Sequence, residues 1–573
     1  MPNRLQHKLL ALILVVSATT FAQEREKDSI DTETVNVVKA YTPTISDAFK
    51  IKETPNLNDS TNLKKKDIKY NIFSIPVAST FTPAKGKAAG VNKEKSVKLY
   101  DNYASVGLGT YATILGEVYL NHQLSRNERV GGYFSHHSSQ GDIDGINYDN
   151  NFRETELGAN YTQQQRDFTW KLEGGYELQR YNWYGLPDQT LPFFDVGHSF
   201  YNANIGGNID FEDGIFNKAT VLFRRFGDSR NSAENRFLVT SEFDVPVNDQ
   251  TITTEVNIDY LSGGFDHTYF SETELNYGNF QLGVAPSYQF IQDDLTLNLG
   301  VRLVYFNDTE ASQSKLHFYP NVTASYRLVD ELLIGFGGIE GGLQQNSYFG
   351  FADENRFVAP TLFVQPTDQS YDVSAGIKGK LSNSMSYIVT GHYLSENNRA
   401  LFKANPDLLT ERKNYQFGNS FGVVYDDLKT FSFEGELNVD LNRNFKLGAK
   451  AAFFAYSTDS EAEAWNLPDL KASVFMDYQI DAHWFAGANL FFVGERKDQI
   501  SEGRNPQLSL NQPQTVTLDS YFDANVHAGY KISDRLSAFV KGNNLVGTNY
   551  QRWLNYPVQG IQFLAGATYQ FDF

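Results

Sequence analysis

Residues 561–573 read Ile-Gln-Phe-Leu-Ala-Gly-Ala-Thr-Tyr-Gln-Phe-Asp-Phe. Every odd position (Ile561, Phe563, Ala565, Ala567, Tyr569, Phe571 and Phe573) is apolar or aromatic. The even positions Gln562, Gly566, Thr568, Gln570 and Asp572 are polar or tiny, and Leu564 is the one exception. Successive side chains of a strand point to opposite faces, so this stretch has one greasy face and one wet face. A single strand of this kind fits a half-buried sandwich as well as a barrel. The decision rests on how many other strands share the pattern and on what their wet faces carry.

The pattern repeats upstream. Leu295, Leu297, Leu299, Val301 and Leu303 alternate with Thr296, Asn298, Gly300 and Arg302. Phe431, Phe433, Gly435, Leu437 and Val439 alternate with Ser432, Glu434, Glu436 and Asn438, and Phe522, Ala524, Val526 and Ala528 with Asp523, Asn525 and His527. Full charges recur on the wet face. A small sandwich cannot bury so many, whereas a wide barrel with a polar lumen and lipid outside can hold them. Ten tight polar turns punctuate the chain, at 125–127, 165–167, 213–214, 248–249, 293–294, 330–331, 382–383, 442–444, 481–482 and 533–534. Longer connections lie between them, such as 183–198, 347–367, 397–412 and 496–515. Short turns on one side and long loops on the other are the habit of outer-membrane barrels. Ten short turns join eleven hairpins, which predicts an all-β fold of 22 antiparallel strands closing 102–573. Asp426-Asp427 reads as a bulge within one long strand. Tyr569 and Phe571 are expected to face lipid, Gln570 and Asp572 the lumen.

Bulk properties agree. The chain has 573 residues, 41% hydrophobic, with a mean hydropathy of −0.42. No run of 18 apolar residues follows the N-terminus, and barrel strands escape hydropathy scans because only half their residues are apolar. Aromatics make up 14%, with 33 Tyr and 44 Phe, and there is no Cys for disulfides, thiolate metal sites or lipidation. Arg4 and Lys8 precede the apolar run Leu9–Val16, and Thr20-Phe21-Ala22 supplies small residues, so 1–22 reads as a secretory signal peptide cut after Ala22. Residues 23–100 lack the alternation and form a periplasmic or lumenal N-terminal segment ahead of the barrel at 101–573. The segment has 14 Lys and Arg against 10 Asp and Glu, while 101–573 has 33 against 58. A basic segment therefore precedes an acidic body, either as a solvated linker or as a chain lying at an acidic lumen through Tyr70–Ala89. The barrel's net charge of −25 disfavours nucleic acid as a partner.

The C-terminal run from Leu518-Asp519-Ser520-Tyr521 through Leu536–Val540, Asn544-Leu545 and Tyr550 to Phe573, together with Glu434-Gly435-Glu436-Leu437, resembles the barrel of TonB-dependent outer-membrane receptors. The resemblance covers roughly 102–573. It implies the outer membrane of a Gram-negative bacterium and uptake of a bulky solute. The glutamine after Ala22 and the Tyr, Phe and Asn bias are similar to those of Bacteroidota proteins. Family members carry a plug of well over a hundred residues inside the barrel, and only 78 residues lie between the signal peptide and the first strand here. A 22-strand barrel encloses a wide lumen that is otherwise plugged. The segment is then a reduced plug, or a partner fills the lumen, or the barrel is open. Glu33-Thr34-Val35-Asn36-Val37-Val38 looks like a TonB box, an extended segment able to add as a strand to TonB, and reads equally as plain linker.

Two long connections are rich in aromatics. Trp183, Tyr184, Phe193 and Phe194 in one, and Tyr348 and Phe349 in the other, are candidate outer-loop ligand contacts, with packing into the lumen as the competing role. His136-His137 with Asp142 and Asp144 could suggest a metal site, but adjacent strand residues face opposite ways, so no metal is assigned. No cofactor motif and no Ser/His/Asp grouping, phosphate loop or HExxH occurs, so the chain does not read as an enzyme. The functional alternatives to uptake are a structural or assembly component of an outer-membrane complex, with a partner outer-membrane protein or lipoprotein, and a passive porin.

Overall fold

The computed structural model describes residues 100–573 except 409–411, 443 and 501–513. The described residues form 26 strands, β1–β26, and one α-helix, α1 (Tyr348–Glu354). Twenty-two strands make one antiparallel sheet. The sheet closes where β1 (Asn102–Gly109) pairs with β26 (Gln562–Phe571), from Asn102 opposite Phe571 to Gly109 opposite Leu564. Closure leaves no free edge, the condition for a sheet to cross a bilayer. The remaining four strands form two small hairpins outside the barrel sheet: β20 (Arg496–Ile500) with β21 (Gln514–Leu518), and β24 (Gln551–Trp553) with β25 (Tyr556–Pro557).

The ten short turns fall where the sequence places them. Two details differ. The last strand ends at Phe571, two residues short of the terminus. The connection expected at 397–412 begins later, because β15 (Met385–Ala404) runs on past Asn397. Asn398 adopts a left-handed φ of 53°, and its N–H donates to the Asp427 carboxylate at 3.0 Å. The register with β16 (Phe421–Asn442) shifts there, between Glu396 and Arg399. This is the bulge expected at Asp426-Asp427 in one long strand, but the extra residue belongs to β15. A polar Asn-Asn pair reads as a loop in sequence and is tolerated here because Asn accepts positive φ.

Facing follows alternation. Tyr569 is 45% exposed and its neighbour Thr568 is 5% exposed. Thr568 bonds Ser105 Oγ at 3.0 Å on the inner face. At the short-turn rim, aromatic pairs run round the outside: Tyr161 with Trp170, Phe168 with Phe211, Phe211 with Phe216 and Phe216 with Phe243, at 5.2–5.5 Å between centroids. Such a girdle marks a membrane–water interface. On the inner face, opposite charges pair across strands, as in Arg236 with Asp259 at 2.6 and 3.0 Å and Lys218 with Glu242 at 2.9 Å. Some inner aromatics lie flat on a glycine of the adjacent strand: Phe475 covers Gly448 and Tyr133 covers Gly158, leaving no room for a Cβ at either glycine. Large rings are thereby accommodated without narrowing the lumen.

The inner wall is not uniform along its height. On β5 (Phe168–Asn182) Glu173 is exposed, Glu177 half-buried, and Gln179 and Tyr181 buried. On β10 (Leu275–Gln292) Gln289 is exposed, Ser287 half-buried, and Tyr277, Asn279 and Gln281 buried. Exposure falls from the short-turn end to the long-loop end because the long loops fold inward over the lumen.

Candidate functional site: the inward-folded outer loops

Seven connections build this cap: 140–151, 183–196, 266–274, 345–366, 405–420, 494–520 and 544–561. Their apolar side chains form one core with the upper strand ends, including Trp183, Tyr348, Val358, Tyr415, Trp553 and Tyr556. Phe357 and Tyr556, from loops far apart in sequence, stack at 3.7 Å, and Trp183 stacks on His198 at 4.0 Å. A surface loop ordinarily stays polar because its backbone needs water. These loops bury their backbones and satisfy them with side chains instead. Asn419, fully buried, donates to the Trp183 and Asn414 carbonyls at 2.8 and 2.9 Å. The Tyr556 hydroxyl donates to the Asn419 carbonyl at 2.5 Å.

The helix α1 lies within the 345–366 loop. Ser347 caps it, accepting from the Gly350 N–H at 3.0 Å. Glu234, on β8 (Ala233–Val247), accepts from the Tyr348 and Phe349 N–H groups at 2.6 and 3.3 Å and from the Tyr277 hydroxyl at 2.7 Å. An acidic side chain at the start of a helix also opposes the helix dipole favourably. The Tyr348 hydroxyl donates to Asp228 at 2.6 Å. Farther along the loop, the buried Arg356 guanidinium sits 2.9 Å from Glu154 and 4.6 Å over the Tyr181 ring. Tyr181 donates to the same Glu154 oxygen at 2.6 Å. Burial works against the Arg356 charge, but Glu154 and its neighbours outweigh this and raise its pKa.

Two more carboxylates tie down neighbouring loops. Asp426 accepts from the N–H groups of Asp459, Ser460 and Glu461 at 2.9–3.1 Å. Asp498, on β20, accepts from the Ala404 N–H at 2.9 Å and from the Asn466 amide at 2.8 Å. Burial pushes the Asp498 carboxyl up to about 6, against the pull of those donors. The cap is therefore an apolar core pinned to the barrel wall by polar latches.

The structure divides the sequence-predicted contacts. Trp183, at 1% exposure, lies with Tyr184 and Tyr348 inside the cap core. Phe193 is 69% exposed and stacks on Tyr148 at 5.8 Å. Phe194 stacks on Phe417 at 4.3 Å, and Phe349 lies beneath the Arg224 guanidinium at 3.9 Å. His136 and His137 face opposite ways, His136 against Thr155 at 2.8 Å and His137 against Phe152 at 5.0 Å. No group of three His, Asp or Glu among the described residues could hold a metal ion. The segment Glu33–Val38 lies outside the described residues. Sequence reasoning missed Arg356, Asn419 and the Trp553–Tyr556 pair. The signal for the last was available in the aromatic run Trp553-Leu554-Asn555-Tyr556, which sits in a connection as long as those already singled out.

A closed 22-strand barrel with short turns below and an inward-folded roof of loops defines an outer-membrane receptor-type barrel, a fold of Gram-negative outer membranes. Residues 98–545 match the model of the TonB dependent receptor-like, beta-barrel family, and the chain belongs to that family. Among solved structures it is similar to the pyoverdine outer membrane receptor FpvA of Pseudomonas aeruginosa PAO1 bound to pyoverdine, at 14% identity and a TM-score of 0.61, over 84% of this chain and 80% of that one. It is also similar to the FrpB iron transporter of Neisseria meningitidis, at 11% identity and a TM-score of 0.62, over 83% and 82%. The ferric-catecholate import receptor Fiu of E. coli K12 aligns at 10% identity with a TM-score of 0.59, over 82% of each chain. At these identities the likeness is one of fold. Comparison with curated protein sequences gives no match.

Proposed function

We propose that this barrel takes up a bulky solute across the outer membrane, with its own outer loops as the gate. The observation that carries this reading is the cap: a continuous core spanning a wide lumen, fixed to the wall by side-chain hydrogen bonds and the Arg356–Glu154 ion pair, all of which are reversible. A ligand that engages Phe193, Phe194 and their surroundings from outside can loosen these latches without disturbing the barrel. The structural neighbours titled as iron transporter, import receptor and pyoverdine receptor support uptake as the class of activity. Receptors and transporters of this kind are not enzymes.

The N-terminal segment supplies the other half of the reading. The stretch 64–98 has nine Lys against Asp67 and Glu94, directly before β1. It leads into β1, which starts at the short-turn end, where the wall carries Glu173, Glu242, Glu255 and Asp440. Charge complementarity favours its lying against this wall as a reduced plug, with Glu33–Val38 left on the periplasmic side to engage TonB.

Conductance in planar bilayers tests the reading. Intact protein is expected to show small currents, deletion of 347–363 larger ones, and deletion of both 347–363 and 70–89 large open-pore currents. Unchanged small currents in the double deletion, with the barrel still inserted, would discard gating by these elements and favour a scaffold role beside a partner outer-membrane protein.

A further inference from the structure

The outer rim of the barrel carries a charge feature that uptake does not use. Arg153, on β4 (Phe152–Gln164), and Arg180, on β5, are direct cross-strand partners. Both side chains point out of the barrel and are exposed. They share the face of Leu157, 57% exposed, and of Leu178. Neither guanidinium makes a hydrogen bond or ion pair with a described residue. Like charges directly opposite one another destabilise a sheet unless something between them supplies the opposite sign.

Neighbouring strands continue the row. Arg225, on β7 (Phe216–Asp228), sits two positions loopward of exposed Phe223, and it donates to Asn235 of β8 at 2.9 Å. His136, on β3 (Glu128–Ser139), sits two positions loopward of exposed Phe134, with Nδ1 2.8 Å from Thr155 Oγ1. Each of these side chains comes at the first or second outward position past the last exposed apolar residue of its strand, at the height where hydrocarbon gives way to headgroups. Elsewhere on this rim Ser262 beyond Tyr260 and Ser395 beyond Tyr393 are neutral, and a lone cation, Lys429 beyond exposed Phe431, stands opposite Ser395 on β16. The opposite rim carries aromatics. What sets this sector apart is the directly opposed, unpaired arginine couple Arg153–Arg180, with Arg225 and His136 on nearby strands.

We propose that Arg153, Arg180 and Arg225, with His136 and Thr155 beside them, bind the phosphate groups of an outer-leaflet lipid. Planar guanidinium groups match phosphate oxygens in pairs, and the Arg153–Arg180 pair would clamp one phosphate between adjacent strands. The source is a lipid rather than free phosphate because the arginines border the apolar belt and face away from the lumen. The acyl chains would lie against Leu157, Leu178 and Phe223.

Native mass spectrometry of the full barrel in detergent tests this. The probes are a bisphosphorylated acylated disaccharide lipid, the same lipid with its phosphates removed, and inorganic phosphate. The wild-type protein is expected to retain the phosphorylated lipid and to shed the dephosphorylated one. Arg153→Ser with Arg180→Ser is expected to weaken retention by about thirtyfold, from the attraction of two basic side chains near an anionic lipid surface. Arg153→Lys with Arg180→Lys should restore part of it. Heat-modifiable gel migration reports whether each variant is folded, and the comparison of the two lipids on wild-type protein needs no variant. Equal retention of both lipids, undiminished retention by the folded serine variant, or displacement of the lipid by millimolar inorganic phosphate would overturn the proposal.

Discussion

The two halves of the lumen are built from the same strands and look nothing alike. At the short-turn end the wall is polar, charged and water-accessible. At the long-loop end the same alternation leads into a dry aromatic core. The strands do not differ in pattern between the halves. The connections do: a turn such as Asn248-Asp249 has no residues to spare, whereas the 345–366 and 544–561 connections are long enough to return over the lumen. Fold class is therefore set by strand periodicity, and occupancy of the lumen by loop length and loop composition.

The contrast can be broken most severely from above. Arg356→Ala removes the buried counter-charge of half-buried Glu154, which keeps only the Tyr181 hydroxyl, a change that costs somewhat less than the about 3–5 kcal/mol of a fully buried pair. The cap, not the barrel, is expected to give way: limited proteolysis should cut within 345–366 while heat-modifiable migration stays normal.

A pH-linked loosening of the cap comes next. The Asp498 carboxyl sits at about 6 in the folded protein against an ordinary 3.8. Between those values the unfolded hairpin has released its proton and the folded one holds it. Stability therefore falls as pH rises through this window and levels off above it, by about 3 kcal/mol at 1.36 kcal/mol per pKa unit. Hydrogen-exchange protection at Ala404 and across β20–β21, taken relative to the intrinsic base-catalysed rate, is expected to fall from pH 4 to 7, and Asp498→Asn should flatten that dependence.

The lower half should respond differently. Gly448→Ala places a methyl where the Phe475 ring lies, an overpacking cost of about 1–3 kcal/mol. The ring should swing into the lumen, lowering barrel thermal stability and leaving the cap's protease resistance unchanged. The smallest effect belongs to the lipid face near the rim. Phe571→Lys should cost about 0–1 kcal/mol in urea titrations of the reconstituted barrel, and a cost of several kcal/mol would mean that Phe571 lies deeper in the bilayer than the aromatic girdle.

How far sequence reading reached follows the same division. Period-two alternation and ten turns were enough for the strand count and for the facing of Tyr569 and Thr568, because each is decided by neighbours in sequence. The Asn397-Asn398 pair misled on the start of one loop, since turn residues also make bulges. The cap was legible only as an excess of aromatics. Nothing local tells that Phe357 will meet Tyr556, or that Asn419 will hold the Trp183 carbonyl, because those contacts join residues roughly two hundred positions apart. Arg153 and Arg180 are unremarkable in sequence too, and only the register shows them side by side.

The pairing of β1 with β26 has a consequence for assembly. Asn102 and Phe571, bonded across the seam at 3.1 Å, are 469 residues apart in the chain. The other seams can form while the chain is still arriving, but the two made by β26, with β1 and with β23 (Leu536–Asn543), wait for the last strand. Until then two unpaired edges face outward, each a template for any passing strand. The roof waits as well, since Trp553 and Tyr556 come from the final long loop. Any state of the chain that lacks β26 therefore has an unlatched seam and an incomplete lid, and those exposed edges are what must be shielded on the way into the membrane.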